Sequence, residues 1–257
     1  MRNGVNFDVS GKTAVITGAA GVICSVMACE MAKCGMRVAL LDLFEEKAQK
    51  VADEINAAGG EAMACKADVL DRESLEAARD KVMARFGSID VLVNGAGGNK
   101  QAATTSPEND FFSMDTDAFK WVFDLNVTGA VITTQVFGAL LAKQGQGNVI
   151  NIASMASILP LTNTVAYSGA KAAVANFTKW MAVHFNQNYS KDIRVNAIAP
   201  GFLLTEQNRF LMQQENGENT ERGERVLYKT PMGRFGAPEE LAGAVIWLCS
   251  DAASFVN

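Results

Sequence analysis

The chain has 257 residues and a formal net charge of −5; that length allows one large domain or two small ones, and the near-even alternation of apolar runs with amphipathic segments argues for one. Its Lys and Arg are dispersed, which leaves no basic stripe for a nucleic acid. No apolar run approaches the length of a membrane span and the opening MRNGVNFDVSGK lacks the apolar centre of a signal peptide, so no membrane partner and a cytoplasmic location are expected. Five cysteines, an odd number without framework spacing, fit a reducing compartment. Cys24, Cys29 and Cys34 fall at every fifth position, but such steps turn through about 500° on a helix and cannot converge on one metal. They read as small core residues, as do Cys65 and Cys249. With His184 the lone histidine, no metal site is expected.

In chain order, Lys12 to Thr17 (KTAVIT) reads as a short apolar strand, followed by GAAGVICS and a helix to about Cys34. This is the strand-to-helix entry of a dinucleotide fold. Gly18 and Gly21 allow a tight turn and a close approach of backbone to a pyrophosphate, whose charge is favoured at the helix N-terminus. The next strand, Arg37 to Leu41, ends in Asp42, a carboxylate placed to accept adenosine ribose hydroxyls and to repel a 2′-phosphate; NAD is expected rather than NADP. Asp42 could instead cap the helix from Glu45 to Ala58, which stops at Gly59-Gly60. A strand from Glu61 to Ala67 leads to Asp68-Val69. Asp68 can accept from an adenine amino group, cap the helix Arg72 to Phe86, or do both. Ile89 to Val93 is a fourth strand, after which Asn94-Gly95-Ala96-Gly97 lets the chain pass beneath a cofactor without side chains in the way.

A long polar loop, residues 98–115, carries Asn99, Lys100 and Gln101, and loops of this length inside a compact domain are usually functional. The helix Thr116 to Lys143 has Asn126 in its apolar middle, where a buried amide needs a partner or a purpose. The stretch SMASILPLTNTVAYSGAK, Ser154 to Lys171, follows a buried strand, Asn148 to Ile152. Tyr167 and Lys171 are four apart, on one helix face. A cation there is expected to lower the phenol from its ordinary value of about 10 and make Tyr167 a usable acid or base. Ser154 could hold a substrate oxygen as charge builds on it. Taken alone, the pair could equally be a lysine stem packed on a ring. The Tyr167 helix runs to Asn188, a strand spans Ile193 to Ala199, and Pro200-Gly201 breaks it. A polar segment, residues 202–230, contains Gln207, Asn208 and Arg209, and Pro238 opens a final helix at N1, Glu239 to Ser250.

Six strand-like runs alternating with helices, most without polar alternation, predict an α/β fold: a doubly wound parallel sheet (Rossmann fold), three layers αβα, in a single domain with its site at the strand C-terminal ends.

The motifs TGAAGVIC (Thr17 to Cys24), Asp68-Val69, NGAG (Asn94 to Gly97), Asn126-Val127, Ser154, Tyr167-x-x-x-Lys171, RVNAIAPG (Arg194 to Gly201) and GRFGAPEELA (Gly233 to Ala242) resemble those of the compact short-chain dehydrogenases/reductases, from Lys12 to the end of the chain. The resemblance implies a catalytic tetrad of Asn126, Ser154, Tyr167 and Lys171, with Asn126 holding a water in a proton relay. It also implies dinucleotide contacts from Gly18, Gly21, Val22, Ile23, Asp42, Asp68, Val69, Asn94, Ala96, Gly97, Tyr167, Lys171, Pro200 and Gly201. A homo-oligomer, dimer or tetramer, is implied through the helices Thr116 to Lys143 and Val165 to Asn188.

Two departures stand out: Val22 and Cys24 take the last two glycine positions of the family's turn, and Gly95 replaces the second amide of NNAG. The family pattern also continues past Asn257 with a further strand, where this sequence ends SFVN. GGNKQAATT and PGFLLTEQNRFLM look most like the branch of D-mannonate oxidoreductases or fructuronate reductases. A sugar acid needs a cation and many hydroxyl partners, which Asn99, Lys100, Gln207 and Arg209 could supply. A 3-oxoacyl reductase, a gluconate-type dehydrogenase and a nucleotide-binding sensor without activity are the alternatives; a steroid or acyl-carrier substrate would call for an apolar mouth or a basic patch instead.

Overall fold

The run TAVIT is buried at every position, as a strand covered on both faces must be. In the computed structural model, which describes residues 4–159, 161–205 and 209–257, this run is β1 (Thr13–Thr17) at the middle of a parallel sheet. The chain continues through α1 (Val22–Lys33), β2 (Arg37–Asp42), α2 (Glu45–Ala57), β3 (Glu61–Lys66), α3 (Arg72–Phe86) and β4 (Val91–Asn94). It then passes through α4 (Thr116–Phe123), α5 (Gly129–Gln144), β5 (Gly147–Ile152), α6 (Val165–Asn188) and β6 (Ile193–Ile198), and ends with α7 (Arg209–Met212), α8 (Glu221–Tyr228) and α9 (Glu239–Cys249). Strand order is β3-β2-β1-β4-β5-β6, six strands all parallel. The expected doubly wound α/β sheet is therefore present, and its direction of winding reverses between β1 and β4, where a crevice opens.

Side-chain alternation divides the core into two layers. Ala14 and Ile16 of β1 and Val38 and Leu40 of β2 pack with Met27, Met31, Ile55 and Val245 under α1, α2 and α9. Val15, Ala39 and Leu41 point the other way, onto Leu75, Phe137, Leu141 and Phe185 of α3, α5 and α6. Cys24, Cys65 and Cys249 are buried in these layers and Cys29 is half-buried, whereas Cys34, at the end of α1, is exposed and is not the core residue expected.

The expected helix Thr116 to Lys143 is interrupted. Between α4 and α5 the turn Asp124–Thr128 widens to π geometry, with Asn126 buried at its centre. Asn126 Nδ2 donates to Val122 O at 2.7 Å, the carbonyl that a regular helix would pair with the backbone amide of Asn126. That competition accounts for the widening. The joined helix, Thr116–Gln144, is long and apolar enough to cross a membrane by length and composition, which corrects the reading that no run approaches a span; half of its most apolar window is buried inside the fold, and α5 packs on α3, β4 and β5.

Other boundaries shift by a residue or two. Pro238 stands at the N-cap of α9 rather than at N1. Asp71, not Asp68, caps α3, accepting from Glu73 N and Ser74 N; Asp68 accepts instead from Leu70 N at 2.9 Å.

Candidate active site

At the carboxyl ends of β1, β2, β4 and β5 lies a cleft of about 730 Å³ that reaches from Asp42 to Tyr167. Its first half is mostly backbone. Gly18 has φ +63, and a Cβ there would lie 2.7 Å from Ala96 Cα and 2.8 Å from Ala96 N, so the turn after β1 rests directly on the segment after β4 and admits no side chain. Thr17 Oγ1 accepts from Gly95 N at 3.2 Å and Ala96 N at 3.3 Å, which holds the two segments together.

Gly21 then starts α1 with no side-chain cap, leaving the first-turn amides, with Gly21, Val22 and Ile23 lining the cleft, open to an anion. The Asp42 carboxylate is held by two amides, Ala20 N at 3.0 Å and Phe44 N at 2.9 Å. It both orders the start of α2 and faces the cleft.

The second half is built from side chains. Ser154 follows β5, and its Oγ accepts from Ala156 N at 3.1 Å to start a short 3₁₀ turn, Met155–Ser157. Tyr167 lies in the first turn of α6, with Lys171 one turn further on. Lys171 is 5% exposed and donates to Ile152 O at 2.8 Å, with Nζ 5.6 Å from the centre of the Tyr167 ring. Burial pulls its ammonium down to about 8.

Lys171 does not set the phenol as expected. Burial raises Tyr167 above its ordinary value, and the hydrogen bond with Ser154 opposes this only in part, so the protonated phenol dominates at neutral pH. Helical spacing reveals which side chains are neighbours and is silent on how dry the pocket around them is.

Asn126 meets the same corner from the other side. Its Nδ2 donates to Gly98 O at 2.7 Å and its Oδ1 accepts from Gly98 N at 3.2 Å. A Cβ at Gly97 would lie 2.6 Å from Asn126 Oδ1 and 3.2 Å from Lys171 Nζ. Asn126 thus clamps the segment after β4 by its side chain.

Several expected contacts lie elsewhere. Among the expected dinucleotide residues, Gly18, Gly21, Val22, Ile23, Asp42, Gly97, Tyr167, Lys171, Pro200 and Gly201 line the cleft, whereas Asp68, Val69, Asn94 and Ala96 do not. Asn94 turns into the core, donating to Thr134 Oγ1 at 2.9 Å and Asn151 Oδ1 at 2.8 Å, and Asn151 donates onward to Thr178 Oγ1 at 2.8 Å. This buried chain ties β4 and β5 to α5 and α6.

Asn99, Lys100 and Arg209 are exposed and do not line the cleft. Asn99 donates to Thr104 Oγ1 at 2.9 Å, Lys100 lies over the Trp121 ring, and Arg209 donates to Gln213 Oε1 at 3.1 Å. Gln207 and Asn208 lie outside the described residues. The lining that the sequence reading missed is Met155, Leu161, Phe202, Leu203 and Thr205 beside Ser154 and Tyr167, and Phe44 and Lys47 beside Asp42. The apolar triplet directly after Pro200-Gly201 was its available signal.

With the geometry in place, comparison with known proteins gives one family. Residues 12–216 match the short chain dehydrogenase family. An uncharacterized oxidoreductase, UxuB, of Bacillus subtilis is 49% identical over 96% of this chain and 91% of its own length. The 7alpha-hydroxysteroid dehydrogenase of Escherichia coli is 34% identical over all of this chain and 94% of its own. A Haemophilus influenzae protein, provisionally named a D-mannonate oxidoreductase and crystallised with bound NAD, superposes with a TM-score of 0.91 at 46% identity, covering 97% of this chain and 92% of that one. The chain belongs to the short chain dehydrogenase family, oxidoreductases that act on alcohol and ketone groups.

Proposed function

We propose that this protein is an NAD-dependent oxidoreductase acting on a secondary alcohol or ketone, with a sugar acid of the D-mannonate/D-fructuronate kind as its substrate. The observation that carries the chemistry is the meeting of Ser154, Tyr167 and Lys171 on one cleft whose far end holds Asp42. The cleft fits a dinucleotide: the turn at Gly18 leaves no room for a side chain, the start of α1 is uncapped, and Asp42 is fixed to accept from ribose hydroxyls and to disfavour a 2′-phosphate. When bound, the nicotinamide ring supplies or accepts the hydride.

The residues of this chain manage the proton and the substrate oxygen. In reduction Tyr167 donates the proton that its raised value keeps on the phenol; in oxidation it takes the proton from the substrate hydroxyl. Ser154 orients the oxygen from the side of β5. Lys171, with Nζ 5.6 Å from the centre of the Tyr167 ring, offers donors to a ribose. Asn126 keeps the segment after β4 against this corner and, in the proposed relay, orders a water next to Lys171. Gly98 after β4 and Phe202, Leu203 and Thr205 after β6 line the cleft, and we assign substrate selection to these two segments.

The sugar-acid assignment is supported by the likeness to the Haemophilus influenzae protein. A second reading, a larger apolar alcohol, is favoured by Met155, Leu161, Phe202 and Leu203 on the cleft wall. We place the protein in the cytoplasm and expect a dimer or tetramer, for which the exposed Trp121, Trp180 and Val183 of α4 and α6 supply apolar surface.

The test is NADH formation from NAD with D-mannonate, D-gluconate, simple polyols and a 7α-hydroxysteroid. Turnover on mannonate alone is the expected result. Turnover on the steroid alone would establish the second reading, and NAD binding with no turnover on any alcohol would favour a sensor.

A further inference from the structure

The floor of the cleft carries a thiol that the proposed chemistry does not use. Cys24, in the first turn of α1, is 4% exposed and borders the cleft. Across from it is Gly95, in the segment after β4. A Cβ built on Gly95 would lie 2.3 Å from Cys24 Sγ and 2.7 Å from the Thr17 carbonyl oxygen, well inside van der Waals contact. The sulfur thus fills the space from which any side chain at position 95 would have to start. These are two of the positions at which the sequence leaves the motifs it otherwise follows, and the structure makes one contact of them.

We infer that Cys24 and Gly95 are a matched pair, the thiol at the foot of α1 seated in the room left by the missing side chain after β4, and that this pair positions the N-terminus of α1 on the floor of the dinucleotide cleft. The thiol acts by its volume. Burial pushes it up to about 12, so it stays neutral and is a poor nucleophile. The consequence for binding follows from geometry: the α1 amides that face an anion are carried by the same turn that holds Cys24, and a shift of that turn moves them all. The link to the cofactor rests on the NAD reading above; the pairing itself does not.

The test is a double-mutant cycle on the full chain with Cys24→Gly, Gly95→Ala and both together. Melting temperature is measured without cofactor, and NAD affinity by calorimetry well below the melting range. Gly95→Ala is expected to weaken NAD binding by about tenfold or more and to lower the melting temperature by about 5 °C or more. In the Cys24→Gly background the same alanine should cost less than half as much in both measures. Relief is incomplete because the Thr17 carbonyl stays where it is.

Equal losses in the two backgrounds would overturn the pairing, and unchanged NAD affinity in a folded Gly95→Ala protein would overturn its role in the cleft. If Gly95→Ala is insoluble, recovery of soluble protein in the double variant supports the pair and its failure there overturns it. A wild-type protein that binds no NAD would sink the functional reading, while the melting cycle still decides the pairing.

Discussion

The two ends of the cleft are made of different materials. At the Asp42 end the surface is mostly backbone: a glycine with no room for a side chain, uncapped helix amides and a carboxylate held by two main-chain donors. At the Tyr167 end it is side chain: a buried lysine, a half-buried phenol, and an apolar wall of Met155, Leu161, Phe202 and Leu203. Backbone recognises what is common to all dinucleotides and leaves little to vary. Side chains on segments after β5 and β6 can be exchanged without disturbing the sheet, so we place substrate choice at that end.

The sharpest way to separate the two ends is Tyr167→Phe. Turnover should fall by at least about a hundredfold while NAD affinity, measured by calorimetry, stays close to wild type; wild-type turnover would sink the proposed proton transfer. The pH response probes the same end through stability. Lys171 is depressed from its ordinary 10.5 to about 8, so the folded protein releases this proton before the unfolded chain does.

The penalty for burying the ammonium is fully present below about 8, at roughly 3 kcal/mol. It fades as pH rises toward 10.5, so stability without cofactor should climb across that window. Denaturant melts of Lys171→Met should lack this climb; an identical climb in the variant would show that another group supplies it.

At the other end, Asp42→Ala should shift preference toward NADP by about tenfold, read as the ratio of kcat/KM for the two cofactors, with little change in substrate KM. A loss shared equally by NAD and NADP would mean that Asp42 serves only to hold the turn at Ala20 and the start of α2. The smallest effects contrast wall and rim. Phe202→Ala should change substrate KM severalfold, roughly 1 kcal/mol at the low end of what a lost apolar contact costs, whereas Lys100→Ala, on the exposed rim over Trp121, should stay within about twofold. Reversed magnitudes on mannonate would restore Lys100 as a substrate cation.

The same division explains what could be read from the sequence. The strands, the turn at Gly18, Asp42 and the pairing of Tyr167 with Lys171 are local: each follows from a residue's own conformational freedom or from spacing along one element. The motif at Asn94 predicts a cofactor neighbour, yet the Asn94 amide is taken up by Thr134 and Asn151, partners 40 and 57 positions away. The raised phenol is hidden from the sequence for a related reason, since desolvation is the sum of everything packed around Tyr167. Charge alone singles out Lys100 and Arg209, but chain direction after a loop is decided by tertiary contacts that no charge pattern encodes.

The wide turn at Asn126 also fixes a phase. One extra residue in a helical turn rotates everything after it by about 100° about the helix axis. Thr134, in the second turn of α5, meets Asn94 with that rotation in place. Were the turn to close into regular α-helix, α5 would present a different face to β4 and β5, and the buried chain from Asn94 to Thr178 would lose its anchor on this helix. The amide that clamps Gly98 therefore also acts at a distance, as the setting of a dial whose reading is taken by the core.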